Sequence, residues 1–271
     1  MSETFSIKDK IILISGATGV LGSHITEHLA QRGAQVIVLG RNPEKVDNLV
    51  KEIQKEGGKA FPLLSDVTSE KELGEAKAQV EKEFGHIDVL INAAGGNMPG
   101  AIVTPDQKIT DMQIEEVRKV MDLNYMGTLL PTQIFTPLLL ASKKASIINI
   151  SSMAASRPMT RVVGYASAKA AIDNLTKWLA TEFCQKYGPE YRVNAIAPGF
   201  FLTDQNRALL TKEDGSLTDR GNQIITHTPM ARFGKPEDLF GSVDFLCSDA
   251  SNFVTGTIIP IDGGFSAYTG V

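Results

Sequence analysis

KIILISGATGVLG, residues 10–22, decides the fold. An apolar run ends at Gly16, glycines recur at 16, 19 and 22, and a helical pattern runs from Gly22 through Ala30. A strand that is apolar throughout, not alternating, argues for burial on both faces, as in a parallel sheet covered by helices. Glycines at the turn allow a tight bend and close approach of backbone to a pyrophosphate, whose charge meets the N-terminus of the next helix. Such loops have other uses, so the position after the first strand carries more weight than the glycines alone.

Outward from this stretch the unit repeats. AQVIVLG at 34–40 reads as the second strand, and KVDNLVKEIQKEG as an amphipathic helix closed by glycine. AFPLLSD, a helix around 70–84 and IDVLINAAG follow, then a helix over roughly 113–141, IINISS at 147–152, a helix from about 163 to 186, RVNAIAPG at 192–199 and a last short strand in GTIIPIDGG. The pattern predicts an α/β fold: a doubly wound parallel sheet of Rossmann type in three αβα layers. Residues 1–271 are expected to form a single dinucleotide-binding catalytic domain. Residues of about 200–235, punctuated by DG, PM and GKP, are long for an αβ connection and are expected to be a partly helical substrate flap.

Bulk properties narrow the partners. With 271 residues and 42% hydrophobic content, the chain can bury a substantial core. A formal net charge of -4 gives no long-range attraction to nucleic acid. Cys184 and Cys247 lie far apart without ligand-spaced companions, which points to free thiols and no zinc site; no metal is expected. No basic leader precedes an apolar run, and no stretch nears ~20 uninterrupted apolar residues. The expectation is a soluble, cytoplasmic protein with no membrane or nucleic-acid partner.

The glycine loop supplies Gly16, Thr18, Gly19, Leu21 and Gly22 as cofactor-binding candidates. Arg41 and Asn42 follow the second strand, where an NAD enzyme often places an acid against the ribose 2'-hydroxyl. An arginine there can pair with a 2'-phosphate through its planar fork, or be an ordinary solvated loop charge; NADP is favoured modestly over NAD. Asp66, with Val67 after it, is placed to meet the adenine amino group. Asn92, Ala93, Ala94 and Gly95 would let a cofactor pass close to the backbone.

The chemistry is carried further along. Tyr165 and Lys169 are four residues apart on one helix face, and Ser152 ends a strand thirteen residues before the tyrosine. A free phenol with pKa ~10 is a poor base at neutral pH, so a neighbouring ammonium is needed to favour its phenolate. Ser152 would orient a carbonyl, Tyr165 would exchange its proton, and Lys169 would also hold the nicotinamide ribose. Asn124, in MDLNYMG, is a candidate to bind a water that relays protons to Lys169, or else satisfies a local helix distortion. A serine hydrolase would want a Gly-x-Ser-x-Gly elbow and a histidine after the last strand, and neither occurs. A cofactor-binding regulatory or scaffold protein is the non-catalytic alternative, against which the intact Ser152, Tyr165 and Lys169 set argues.

SGATGVLG, NAAG at 92–95, Asn124, the Ser152/Tyr165/Lys169 set, Pro198-Gly199 with Thr203, VTG at 254–256 and DGG at 262–264 together resemble the short-chain dehydrogenase/reductase family over essentially the whole chain. The resemblance implies NAD(P)-dependent oxidoreduction, with Pro198, Gly199 and Thr203 on the cofactor and Thr203 at the carboxamide. It also implies a homotetramer. The family loop has glycine where Val20 stands, which puts the shape of the pyrophosphate turn in question. A narrower likeness lies in NYMGTLLPTQ at 124–133, residues 197–221, HTPMARFGKPE at 227–237 and the ending DGGFSAYTGV. These are similar to the family members assigned as D-fructuronate reductases, or D-mannonate oxidoreductases. That implies a small acidic sugar substrate, with gluconate-like acids or other polyols and secondary alcohols as alternatives. Asn97, Ser152, Arg161, Arg207 and His227 are the substrate-binding candidates, with Gln205, Asn206, Arg232 and Arg157 as further donors nearby.

Overall fold

The computed structural model describes residues 3–202 and 207–270. Seven parallel strands form one sheet in the order β3-β2-β1-β4-β5-β6-β7. They are β1 (Ile11–Ser15), β2 (Gln35–Gly40), β3 (Lys59–Leu64), β4 (Val89–Asn92), β5 (Ala145–Ile150), β6 (Tyr191–Pro198) and β7 (Ile258–Ile261). The chain starts in the middle at β1, winds outward to β3, then crosses to β4 and winds the other way. The change of direction between β1 and β4 opens a crevice at their carboxyl ends, where such sheets bind ligands.

The helices between them are α1 (Val20–Gln31), α2 (Pro43–Lys55), α3 (Glu70–Phe84), α4 (Ile114–Met121), α5 (Gly127–Ala141), α6 (Val163–Tyr187), α7 (Arg207–Leu210), α8 (Asp219–Thr226) and α9 (Phe240–Cys247). Strand side chains alternate between two cores. Ile12, Ile14, Val36 and Val38 pack with Ile25 and Leu29 of α1, Val46 and Ile53 of α2, and Val243 and Leu246 of α9. Leu13, Ile37 and Leu39 pack on the opposite face with Leu73 of α3, Phe135 of α5, and Leu175 and Leu179 of α6. Each such side chain contributes roughly 1.5–3 kcal/mol by leaving water. The apolar strands therefore form the middle of three layers, as their lack of alternation predicts.

One predicted helix is interrupted. Instead of a single element over 113–141, α4 and α5 are separated by a π-helical turn, Asp122–Met126. Side chains here compete with the backbone ladder: Asn124 Nδ2 donates to the Val120 carbonyl at 2.8 Å, and the Thr128 hydroxyl donates to the Asn124 carbonyl at 2.9 Å. Pro131 and Pro137 inside α5 lack the N–H that would continue the ladder, and the Thr132 and Thr136 hydroxyls donate to carbonyls one turn back. Wide turns of this kind concentrate at functional sites.

The flap leaves the sheet after β6 and returns where Phe201 pairs with Gly234. Its described part carries α7 and α8, with Thr211 bridging Leu217 between them. Thr203, Gln205 and Asn206 lie outside the described residues.

Candidate functional site

The carboxyl ends of β1, β4, β5 and β6 deliver Gly16, Gly95, Ile150 and Gly199 to the wall of a cavity of about 360 Å³, which Tyr165 and Lys169 of α6 also line. Glycine is required at its rim. Gly16 has φ +66°, and a Cβ there would stand 2.6 Å from Ala94 Cα; one on Gly22 would stand 2.2 Å from the Gly16 carbonyl oxygen. The loop is thus as thin as a backbone can be where α1 begins, and a bound diphosphate would meet main-chain N–H groups and the positive end of the helix. Val20 is the first residue of α1, preceded by Gly19 in extended conformation, and Gly19 N–H donates to the Gly16 carbonyl at 2.9 Å. Val20 itself lines the cavity, and the bare backbone at Gly16 and Gly22 fits a dinucleotide.

The remaining cofactor candidates divide. Leu21, Ala93 and Gly199 line the cavity with the glycines. Thr18 packs under Gly40, where an added Cβ would lie 3.2 Å from its hydroxyl oxygen. Asn42 caps α2 by accepting from Lys45 N–H at 3.0 Å. Arg41 Nη1 lies 3.3 Å from an Asp66 carboxylate oxygen, and the other oxygen accepts from the Thr68 N–H and hydroxyl. Burial pushes the Asp66 carboxyl up, but the bonds from Thr68 and Arg41 outweigh it and hold the group below its usual range. Val67 is buried, packed against Gly127. Ala94 gives its backbone to the contact with Gly16, and Pro198 is buried at the end of β6.

The Asn92 side chain is not among those lining the cavity. It is buried, and its Nδ2 donates to Thr132 Oγ1 and Asn149 Oδ1, both at 2.9 Å. Asn149 in turn donates to Thr176 Oγ1 at 2.9 Å. This chain of amides ties β4 and β5 to α5 and α6, because a strand buried on both faces has no solvent to satisfy a polar group.

Three of the proton-handling candidates converge. Ser152 follows β5; its oxygen accepts from Ala154 N–H at 3.2 Å, and its hydroxyl stands near enough to the Tyr165 phenol to favour the phenolate. Lys169 Nζ stands 5.5 Å from the Tyr165 ring centroid and donates to the Ile150 carbonyl at 2.7 Å. Burial pushes the Tyr165 phenol above its ordinary range, with the Ser152 bond working against that. The same burial brings the Lys169 ammonium down to about 8, opposed by the Asp173 carboxylate. Asn124 completes the cluster from the π-helical turn: Nδ2 donates to the Gly96 carbonyl at 2.7 Å, and Oδ1 accepts from Gly96 N–H at 3.1 Å. A Cβ on Gly95 would lie 2.6 Å from Asn124 Oδ1 and 3.2 Å from Lys169 Nζ, so the two side chains meet behind this glycine. With its amide hydrogens spent on Gly96 and Val120, Asn124 satisfies the distorted turn, and its Oδ1 lies on the same side of Gly95 as Lys169 Nζ.

Substrate candidates fare less evenly. His227 does not face the cavity: it is exposed at the C-cap of α8, its Nδ1 bonded to the Gln223 carbonyl at 2.8 Å. Arg232 is taken up by Asp238 in a two-pronged pair at 2.6 and 2.9 Å, and Arg157 by the Ser266 carbonyl at 2.8 Å. Asn97 is half-buried on the loop after β4, accepting from Met98 N–H at 3.0 Å. Arg207 opens α7, and Arg161 sits between Ser152 and Tyr165.

One participant escaped the sequence reading. Asp173 lies one helical turn beyond Lys169 and accepts a hydrogen bond from the Ser151 hydroxyl. The four-residue rhythm Tyr165, Lys169, Asp173 was the available signal. Because the carboxylate raises the lysine's pKa, Asp173→Asn is expected to move the alkaline limb of the pH–rate profile below about 8, the value set for Lys169. An unmoved limb would separate Asp173 from the reaction. Among the described residues no cluster of acids, histidines or cysteines is arranged to hold a metal, and no helix is long and apolar enough to cross a membrane.

A family profile described as Enoyl-(Acyl carrier protein) reductase matches residues 16–266. The chain is 44% identical to "Uncharacterized oxidoreductase UxuB" of Bacillus subtilis, over 98% of each. A Haemophilus influenzae protein, crystallised with NAD bound and described provisionally as a D-mannonate oxidoreductase, superposes with a TM-score of 0.91 at 45% identity, over 98% of both chains. A gluconate 5-dehydrogenase of Burkholderia cenocepacia, solved with NADP and tartrate, gives 0.86 at 28% identity over 98% and 99%.

Proposed function

This chain belongs to the short-chain dehydrogenase/reductase family of oxidoreductases, and we propose that within it the protein interconverts a keto sugar acid and its hydroxy acid, D-fructuronate and D-mannonate being the best-supported pair. The observation that carries the chemistry is that Tyr165 and Lys169 line the glycine-rimmed cavity together, with Ser152 beside the Tyr165 phenol. The substrate class is supported by the two sugar-acid relatives.

When bound, the nicotinamide exchanges the hydride. The protein does the rest. In reduction, the Ser152 hydroxyl and the Tyr165 phenol donate to the ketone oxygen, and the phenol passes its proton across as that oxygen becomes an alkoxide. A phenol held protonated by burial suits this direction at neutral pH. In oxidation the phenol must first be ionised, and the Lys169 ammonium, protonated below about 8, stabilises the phenolate. Asn124 positions the Gly95–Gly96 backbone against which the reactants lie.

A panel of D-fructuronate, 5-keto-D-gluconate and uncharged ketoses, each with NADH and NADPH, tests the reading. D-Fructuronate is expected to give the highest kcat/KM; turnover of uncharged ketones alone would overturn it. The Burkholderia cenocepacia relative favours a gluconate-type acid as the second reading, which the same panel separates.

Cofactor choice turns on Arg41. Any 2'-phosphate must draw this arginine from Asp66. We assign to it whatever NADP share the enzyme has. Arg41→Ala is expected to cut kcat/KM for NADPH roughly tenfold, the worth of one charge-assisted hydrogen bond, with NADH nearly unaffected. Equal loss with both would remove that assignment.

A further inference from the structure

The end of β5 is gripped residue by residue. Asn149 Nδ2 donates to Thr176 Oγ1 at 2.9 Å, the Ile150 carbonyl accepts from Lys169 Nζ at 2.7 Å, and the Ser151 hydroxyl donates to the Asp173 carboxylate. All of these partners belong to α6, and together with Tyr165 they occupy about 80° of its circumference. Ser152 follows at once. We infer that Ser151 and Asp173 are positioning residues, whose hydrogen bond holds the end of β5 in the orientation that sets Ser152 against the head of α6. The inference deepens the proposed function and rests on Ser152 taking part in it.

Strand side chains alternate, so Asn149 and Ser151 face α6 as Ile147 does, while Ile148 and Ile150 join the core on the α1 side. Ser151 is buried and Asp173 half-buried. Burying a hydroxyl and a carboxylate costs free energy that an apolar pair of the same shape would not, so packing alone does not account for them. The backbone of Ser151 is fixed separately, its N–H donating to the Ile196 carbonyl of β6 at 2.8 Å. Ser151 is thus tied to β6 through its main chain and to α6 through its side chain.

Ser152 hangs from that anchor. It keeps an extended backbone, φ -163° and ψ +152°, and the chain then turns into the short helix Met153–Ala155, where Ala154 N–H meets the Ser152 oxygen. Without the Ser151 bond, nothing on the α6 side stops the strand end from rotating as it enters this turn, and Ser152 would rotate with it. Asp173 therefore has two separable effects. Its charge bears on Lys169, and its oxygen holds Ser151. Asparagine at 173 keeps an acceptor for the serine hydroxyl without the charge, whereas alanine removes both.

The test is a mutant cycle on the full-length protein, with steady-state rates at pH 7 on the best substrate of the panel above. The variants are Ser151→Ala, Asp173→Ala, the two combined, Asp173→Asn, and Ser152→Ala as reference. Expected is a fall in kcat of about tenfold in each alanine single variant, since misplacing a reacting group by about 1 Å costs up to about 10²-fold. The combined variant should be no slower than either single one, because one contact is lost only once. Asp173→Asn should recover most of the loss seen with alanine, and NADH affinity and melting temperature should hold throughout. Should Asp173→Ala not fold, Ser151→Ala carries the test by itself. The grip is overturned by an unchanged kcat in Ser151→Ala, by losses that add in the combined variant, by asparagine serving no better than alanine, or by a loss matched in NADH affinity or melting temperature. An unchanged kcat in Ser152→Ala would instead remove Ser152 from the reaction, the premise and not the grip itself; a fall there with none in Ser151→Ala overturns the grip alone.

Discussion

Tyr165→Phe is expected to lower turnover by about 10³-fold and to leave dinucleotide affinity within about twofold. General acid–base catalysis contributes about 10²–10⁴-fold, and the phenol stands beside Ser152 at the head of α6. Phenylalanine preserves the ring that Lys169 Nζ approaches at 5.5 Å, so packing and the cofactor wall persist while the exchangeable proton is lost. Steady-state rates in both directions, paired with a nucleotide fluorescence titration, provide the check. Turnover within about tenfold of wild type would remove Tyr165 from the proton path. A parallel collapse of nucleotide binding would recast it as a structural residue.

Lys169→Met is expected to cost at least about 10²-fold in turnover and to alter how stability depends on pH. The lysine is buried, and its folded pKa is depressed from 10.5 to about 8. Between those values the unfolded chain holds a proton that the folded one has released. Stability therefore rises with pH across that window, by of order ~3 kcal/mol for one such group. Below about pH 8 the folded state carries the cost of the buried ammonium in full. The variant loses a bond to the Ile150 carbonyl as well, so its absolute stability is a poor readout. The difference between the two denaturation curves from pH 7.5 to 10.5, measured in urea at several pH values, isolates the lysine. A flat difference would mean that the ammonium is not desolvated.

The sheet was readable because its strands are apolar on both faces and each is punctuated by glycine, proline or a cap. Asn42 and Ser69 each cap a helix the pattern predicts, and Gly85 closes one in left-handed conformation. The proton-handling cluster was readable because Tyr165 and Lys169 lie on one helix and Ser152 ends a strand aimed at it. The interruption at Asp122–Met126 was not, since it depends on where the Asn124 and Thr128 side chains find partners. Polar residues in the flap and in the loop after β5 were the least legible. Arg232, His227 and Arg157 look alike in a sequence, and only contacts with Asp238, Gln223 and Ser266 show that each is already engaged.

The π-helical turn carries a constraint on sequence length. Each residue advances an α-helix by about 100°, so the wide turn accommodates one residue more than regular winding would. Excising a single residue between Asp122 and Met126 would let α4 run into α5 without the wide turn. Asn124 would then be rotated out of phase with Gly96, and the floor behind Gly95 would lose its polar tie. The segment should accept exchanges of side chain far more readily than any change in the number of residues.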